Sequence, residues 1–308
     1  MIRATIVGIP LDLGSENLGV DTGPQAIRNQ NIQKKLEASG FKITDGRNVV
    51  CAERKNLSMG NSTLKYLDEI VRVSQSTAEV VYELVSKKEK VIALGGDHSI
   101  SLGTISGASV ALHHNLGLIY LDAHGDMNTD KTSVTGNIHG MHLASLMGFG
   151  DKRLVQIFNK SIKIKKNNLL HIGGYDLDLG EIQLIEKEKL NMYKIIDILS
   201  HGLAPLLMKI NKLNSEVKDV WVSLDLDVID SVYAPGVGMP NKAGLTYREI
   251  TTICEYIGTH CHVVGVDIVE YNSLQDIDGK TAELAIELIA KLFGSNYSWY
   301  TNYLVQNR

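Results

Sequence analysis

Short apolar runs alternate along this chain with longer stretches whose apolar residues recur at helical spacing. Residues 3–9 alternate and are rich in β-branched side chains, which predicts a first strand. Residues 41–44, 90–94, 116–121, 169–172, 193–196, 220–224 and 263–269 read as further strands. Pro24 suits the first turn of a helix running to about Ser39, before Gly40. A long helix from Ser62 would place Leu64, Leu67, Val71, Ala78, Val81 and Val85 on one stripe. Ser99 could cap a helix reaching His114. Residues 138–147, a segment from Glu181, another ending near Leu213, 246–258 and 281–293 complete the helical set. Residues 10–23, 45–61, 128–137 and 228–245 read as loops. Strands alternating with amphipathic helices predict an α/β fold of three layers, with a mostly parallel central sheet covered on both faces.

The 308 residues exceed the usual length of one domain. The polar clusters nevertheless run from His98 to Glu270, each following a strand, with no internal repeat or low-complexity linker, so one domain over 1–308 is expected. The net charge of −4 gives no electrostatic case for nucleic acid or an anionic membrane as a partner. No run approaches the roughly 18 apolar residues of a membrane span, and the N-terminus reads as strand and loop rather than leader. The three cysteines are an odd, sparse set, which fits a reducing, cytoplasmic compartment rather than a disulfide framework. Lys152, Arg153, Lys160, Lys163, Lys165 and Lys166 read as a solvated surface segment.

The chemistry gathers at strand ends. Asp122-Ala123-His124-Gly125-Asp126 follows the 116–121 run. On an extended backbone these three side chains share one face, so two carboxylates and an imidazole would converge. Left unpaired, the carboxylates would repel and be costly to desolvate. A divalent cation resolves that cost, and no Lys or Arg follows before Lys131. Asp225-x-Asp227 repeats the pattern after 220–224, and His98 follows 90–94. Taken singly, the Asp225 pair could cap a turn and His98 could be a structural histidine; three such strand ends in one chain favour the metal reading. His98, Asp122, His124, Asp126, Asp225 and Asp227 are too many ligands for one tetrahedral zinc, and suit two ions bridged by carboxylates. Hard oxygen donors with imidazole favour Mn²⁺, then Fe²⁺ or Co²⁺. Such a pair can share one water and lower its pKa toward neutrality.

The segments GGDHS (95–99), DAHGDMN (122–128), SVTGNIHG (133–140), SLDLDVID (223–230), GLTYRE (244–249) and DIVEYN (267–272), with GVDTGPQAIR (19–28), resemble the arginase branch of the ureohydrolases. The match follows the family's order over nearly the whole chain. The resemblance implies the arginase α/β fold, two Mn²⁺ per chain, hydrolysis of L-arginine to L-ornithine and urea, and a trimer or hexamer. It implies that the six residues above are the ligands and that Asp126 also hydrogen-bonds the attacking hydroxide. His139 would shuttle a proton to the leaving amine, and Glu270 would orient the guanidinium. Asn128, Thr135, Asn137, Asp178 and Glu181 would read the substrate's α-carboxylate and α-amino group. A carboxylate can grip a planar guanidinium in bidentate fashion, and a histidine titrates in the range that leaving-group protonation needs.

Met239 departs from the family, which usually carries Thr there; Met offers a weak acceptor and no donor. Gly125 replaces a common Thr. Three other readings stay open at this point. Another ureohydrolase would act on agmatine or a further guanidino compound. A non-enzymatic member would bind metal without releasing urea. A zinc deacylase of related fold would use fewer ligands.

Overall fold

The apolar runs become strands because each is buried on both faces of one sheet. In the computed structural model, which describes residues 2–46 and 48–295, the chain order is β1 (Ile2–Ile9), α1 (Gly23–Asn29), α2 (Ile32–Ala38), β2 (Phe41–Asp45), β3 (Gly60–Asn61), β4 (Leu64–Lys65), α3 (Leu67–Ser86), β5 (Lys90–Gly95), α4 (Ser101–Ala111), β6 (Leu116–Asp122), α5 (His142–Leu146), α6 (Lys152–Val155), β7 (Leu169–Gly173), α7 (Leu179–Glu188), β8 (Met192–Lys194), α8 (Ile195–His201), α9 (Ala204–Glu216), β9 (Asp219–Asp225), α10 (Tyr247–His260), β10 (Val263–Val269) and α11 (Lys280–Leu292). Eight strands form one sheet in the order β2-β1-β5-β10-β9-β6-β7-β8. Every neighbouring pair in it is parallel. β3 and β4 form a separate small hairpin.

Alternate strand residues face two cores. One packs Ile6, Ile92, Ile119 and Val222 against Ile27, Leu206, Ile253 and Leu288 of α1, α9, α10 and α11. The other packs Val7, Val91, Leu118 and Trp221 against Ile70, Val81 and Ile105 of α3 and α4. α4 is buried along nearly its whole length. Its Gly103 and Gly107 let it press on α3, since a Cβ at either would lie 2.6 or 2.4 Å from the Ser74 or Ala78 carbonyl oxygen.

The sheet order positions the site. β5, β10, β9 and β6 are adjacent and parallel, so their carboxyl ends share one rim. Register pairs Leu121 with Leu224 and Val269 with Asp225. Open α/β sheets bind ligands outside that rim.

Several boundaries differ from the sequence reading. The expected single helix after Pro24 breaks at Asn31 (φ 58°), a left-handed position that Asn tolerates better than most residues. The strand expected over 193–196 ends at Lys194, and the helix expected to end near Leu213 is two helices, α8 and α9, parted at Gly202 (φ 72°). α3 starts at Leu67 rather than Ser62, because Asn61 Oδ1 accepts from the Thr63 backbone N–H and closes a turn. Its buried stripe runs through Ile70, Val73 and Ala78, with Val71 only half-buried. Asp97, not Ser99, provides the side-chain cap, and it caps the 3₁₀ turn His98–Ile100 that leads into α4, while α4 itself has no side-chain cap. It stops at Ala111, since His113 and His114 take positive φ. Lys163 is not solvated: it is 2 % exposed, and its Nζ donates to the carbonyls of Val155, Asn159 and Ser161.

Candidate metal centre

The three strand-end segments meet. His98 opens a 3₁₀ turn after β5 and Asp122 ends β6. Asp225 ends β9, and Asp227 sits in the 3₁₀ turn that follows. Around His98 Nδ1 lie Asp122 Oδ2 at 2.9 Å, Asp225 Oδ2 at 3.2 Å and Asp126 Oδ2 at 3.4 Å. Around His124 Nδ1 lie Asp227 Oδ2 at 3.1 Å and Asp122 Oδ1 at 3.4 Å. Asp122 therefore offers one oxygen to each imidazole and joins a deeper group of donors to a shallower one. The sets His98, Asp122, Asp225 and Asp122, His124, Asp227 could each hold a metal ion.

The convergence does not come from extended alternation. β6 ends at Asp122, and Asp126 takes a left-handed backbone (φ 49°). The chain curls after the strand, with Asp122 Oδ1 accepting from the His124 backbone N–H at 2.7 Å. Asp225 Oδ1 does the same for Asp227 N at 2.9 Å. Bends of this kind bring alternate side chains together without a straight strand.

The donors fit divalent cations. Asp122 Oδ2 is buried and makes no well-formed hydrogen bond, with His98 Nδ1 its nearest charge partner at 2.9 Å. No Lys or Arg among the described residues pairs with these carboxylates. Oxygen–nitrogen spacings near 3 Å match the edges of a coordination shell with bonds of about 2.1 Å. Burial and the neighbouring Asp122 push the Asp126 carboxyl well up, and burial and Asp227 do so for Asp225. Burial likewise raises Asp227. Burial disfavours charge on His98, yet Asp122 and Asp225 outweigh it and raise the ring. His124 is raised in the same way, against burial, by Asp227 and Asp122. Burial also opposes charge on Asp122, but His124 and His98 hold it well below the usual range. Without a cation the cluster thus retains protons to limit its own repulsion.

A cleft of about 280 Å³ opens above the cluster, lined by His98, His124, Asp126, Asn128, Thr135, Asn137, His139, Asp178, Glu181, Met239 and Glu270 among others. Every sequence-predicted site residue except the deeper Asp122 lines it. Glu270 Oε1 accepts from the His98 backbone N–H at 2.9 Å and lies 3.3 Å from His139 Nδ1. Its other oxygen lies toward Gly238, where a Cβ would come within 3.1 Å of it. Burial works against a charge on His139, but Glu270 outweighs it and raises the ring to about 9. Asp178 caps α7 in a reciprocal box with Glu181 and accepts from Asn128 Nδ2 at 2.6 Å. Glu181 also accepts from the Met127 backbone N–H, so both carboxylates shape backbone as well as cleft. Asn137 Oδ1 accepts from Lys65 Nζ at 3.1 Å.

Sequence reasoning missed the groups behind the cluster. His98 Nε2 lies 2.9 Å from Ser223 Oγ, which donates to Asp267 at 3.3 Å. Tyr120 and His142 pack against His98 on another side. Two of these stand two residues before a ligand on the same strand, Tyr120 before Asp122 and Ser223 before Asp225, and strand alternation puts them on the ligand's face.

The profile described as Arginase family matches residues 2–294. The arginase of Brevibacillus brevis is 40% identical over 292 residues, covering 94% of this chain and 97% of that one. That of Bacillus caldovelox is 38% identical over 293 residues, with 94% and 97% covered. The native B. caldovelox arginase structure superposes with a TM-score of 0.92, at 36% identity, over 97% of this chain and 100% of the other. An agmatine ureohydrolase of Thermoplasma volcanium, at 24% identity and TM-score 0.72 over 99% of this chain and 92% of that one, shares the fold. On sequence and structure together, the chain belongs to the arginase family.

Proposed function

We propose that the chain hydrolyses the guanidino C–N bond of L-arginine, giving L-ornithine and urea, as one catalytic unit over 1–308. The observation that carries this is the shared Asp122 carboxylate between two imidazole-containing donor groups at the floor of a carboxylate-lined cleft. His98, Asp122, Asp126 and Asp225 would hold one Mn²⁺, and His124, Asp122 and Asp227 the other. When bound, the pair supplies Lewis acidity that makes a water a competent nucleophile at neutral pH.

The rest is done by side chains. Glu270, which lines the cleft, accepts from the guanidinium and fixes its plane. Asp126 accepts a hydrogen bond from the attacking water and turns its lone pair toward the guanidinium carbon. His139, charged through neutrality because Glu270 stabilises its imidazolium, delivers a proton to the departing δ-nitrogen. Asp178 supplies negative charge for the α-ammonium. Asn128, Thr135 and Asn137 supply neutral donors for the α-carboxylate, with Glu181 bracing Asp178. Holding these groups around one substrate pose converts the attack into an oriented, unimolecular step.

No helix among the described residues is long and apolar enough to cross a membrane. The three cysteines are free thiols, which supports a reducing, cytoplasmic setting. A trimer or hexamer is the assembly we expect, read by light scattering. Urea release from L-arginine and from agmatine by Mn²⁺-reconstituted protein tests the function. Arginine should be strongly preferred; a preference for agmatine would overturn the substrate assignment.

A further inference from the structure

Behind the deeper donor group lies a pair of side chains that the reaction does not consume. Tyr120 is fully buried. Its hydroxyl donates to Asp126 Oδ2 at 2.5 Å and lies 3.1 Å from His98 Nδ1. Its ring stacks on the His98 imidazole, with centroids 4.9 Å apart and planes 3° from parallel. One side chain thus touches two of the four donors around the deeper position. His142, also fully buried, supports it: Nε2 lies 3.1 Å from the Tyr120 hydroxyl, and Nδ1 donates to the His139 carbonyl at 2.6 Å. The His142 ring also packs on His98, with centroids 4.4 Å apart.

His142 lies close enough to His98 and Asp126 to stand with them as a third metal-capable set. Its two nitrogens are already engaged, however. Nδ1 faces a carbonyl oxygen and must carry the ring's proton, while Nε2 faces the Tyr120 hydroxyl, whose single proton goes either to Nε2 or to Asp126 Oδ2, so the ring is placed to support the phenol. Asp126 needs such support, because its left-handed backbone (φ 49°) is strained for a non-glycine residue and persists only where the surroundings hold it.

We infer that Tyr120 and His142 are positioning residues for the deeper cation. They hold His98 Nδ1 and Asp126 Oδ2 at coordination spacing, and tie both to the main chain of His139. Groups that orient metal ligands in this way are worth about 10–100-fold in metal affinity or activity. The inference rests on the two-cation reading given above.

The test is calorimetric titration of chelator-stripped protein with Mn²⁺, followed by arginine kinetics at saturating Mn²⁺. Tyr120→Phe keeps the ring and its volume and removes the hydroxyl. It should weaken one of the two binding steps by about 10–100-fold, leave the other unchanged, and lower kcat while KM stays within about twofold. His142→Asn keeps a donor toward the His139 carbonyl and loses the contact with Tyr120. It should weaken the same step, and it carries the test if Tyr120→Phe does not fold. The double variant should lose little more than the stronger single, because the two act as a unit. A lowered Tm with both binding steps and kcat unchanged would make the pair merely structural and overturn the inference. Wild-type protein that binds two Mn²⁺ but releases no urea from arginine would sink the substrate reading instead, while the calorimetry still judges the brace.

Discussion

Cation binding here should be coupled to proton release, and its size follows from the contacts. In the cation-free protein carboxylate oxygens crowd the His98 and His124 Nδ1 atoms at 2.9–3.4 Å, and the Tyr120 hydroxyl near His98 Nδ1 gives its own proton to Asp126, so each Nδ1 carries a proton. A metal ligand must offer a lone pair, so each ring must lose that proton on binding. The imidazole proton alone makes affinity rise about tenfold per pH unit for each cation, or about 1.4 kcal/mol, and any proton displaced from the raised Asp126 and Asp225 carboxyls adds to it. At a free cation concentration 100 times Kd, each cation adds about 2.7 kcal/mol of stability. A chain of 308 residues unfolds with an entropy of about 0.65 kcal/mol/K, at roughly 2.1 cal/mol/K per residue. Each cation should then raise Tm by about 4 °C, and each pH unit at fixed free Mn²⁺ by about 2 °C more per cation.

The cation-free protein should move the other way. An imidazole raised in the fold stabilises fully below its unfolded value of 6.5 and loses that contribution as pH rises through its folded value. The raised carboxyls of Asp126 and Asp225 have the same sign, since the native state keeps protons that the unfolded chain gives up. Calorimetric melts with chelator or with excess Mn²⁺, between pH 6.5 and 8.5, should therefore diverge as pH rises. Titrations in two buffers of different ionisation enthalpy count the protons. A Tm gain that is absent, or constant across that range, would refute the reasoning.

Asp178 caps α7 and in the proposed mechanism also meets the α-ammonium, and two variants separate the two roles. Asp178→Asn keeps the α7 cap and should raise KM for arginine strongly with metal content intact. Asp178→Ala should do the same and also cost about 1 kcal/mol of stability, seen as a lower Tm; unchanged arginine kinetics in both would remove its substrate role. Glu270→Gln should lower the His139 pKa from about 9 by about one to three units, followed by histidine NMR in the cation-free protein. The stability this pair lends is full below pH 6.5 and lost as pH rises through about 9, and the variant should lack that decline. Met239 lines the same cleft as Glu270. Met239→Thr should raise kcat/KM for arginine if a hydroxyl donor is what that wall lacks, and a fall would show that the thioether fits the site as it stands.

The strands were legible because parallel strands buried on both faces read as unbroken apolar runs. The site was legible in composition, since carboxylates and histidines at strand ends need a cation or a counter-charge. Its geometry was not. The alternation of Asp122, His124 and Asp126 suggested an extended segment, yet the chain curls and Asp126 turns left-handed. Helix breaks at Asn31 and Gly202 escaped because the helical periodicity continues through them. Lys163 looked like surface because it stands among lysines, and only folding brings three carbonyls to its ammonium. Tyr120 and His142 read as ordinary residues of a strand and a helix, for nothing local says that one hydroxyl reaches Asp126.

The central claim is that six side chains gathered from three strand ends hold two cations joined by Asp122. Anomalous diffraction at the manganese edge, from crystals grown with Mn²⁺, tests it most directly. Two peaks per chain are predicted, one within bonding distance of His98 Nδ1, Asp122 and Asp225, the other within bonding distance of His124 Nδ1, Asp122 and Asp227. A single peak, or peaks away from these atoms, would contradict it.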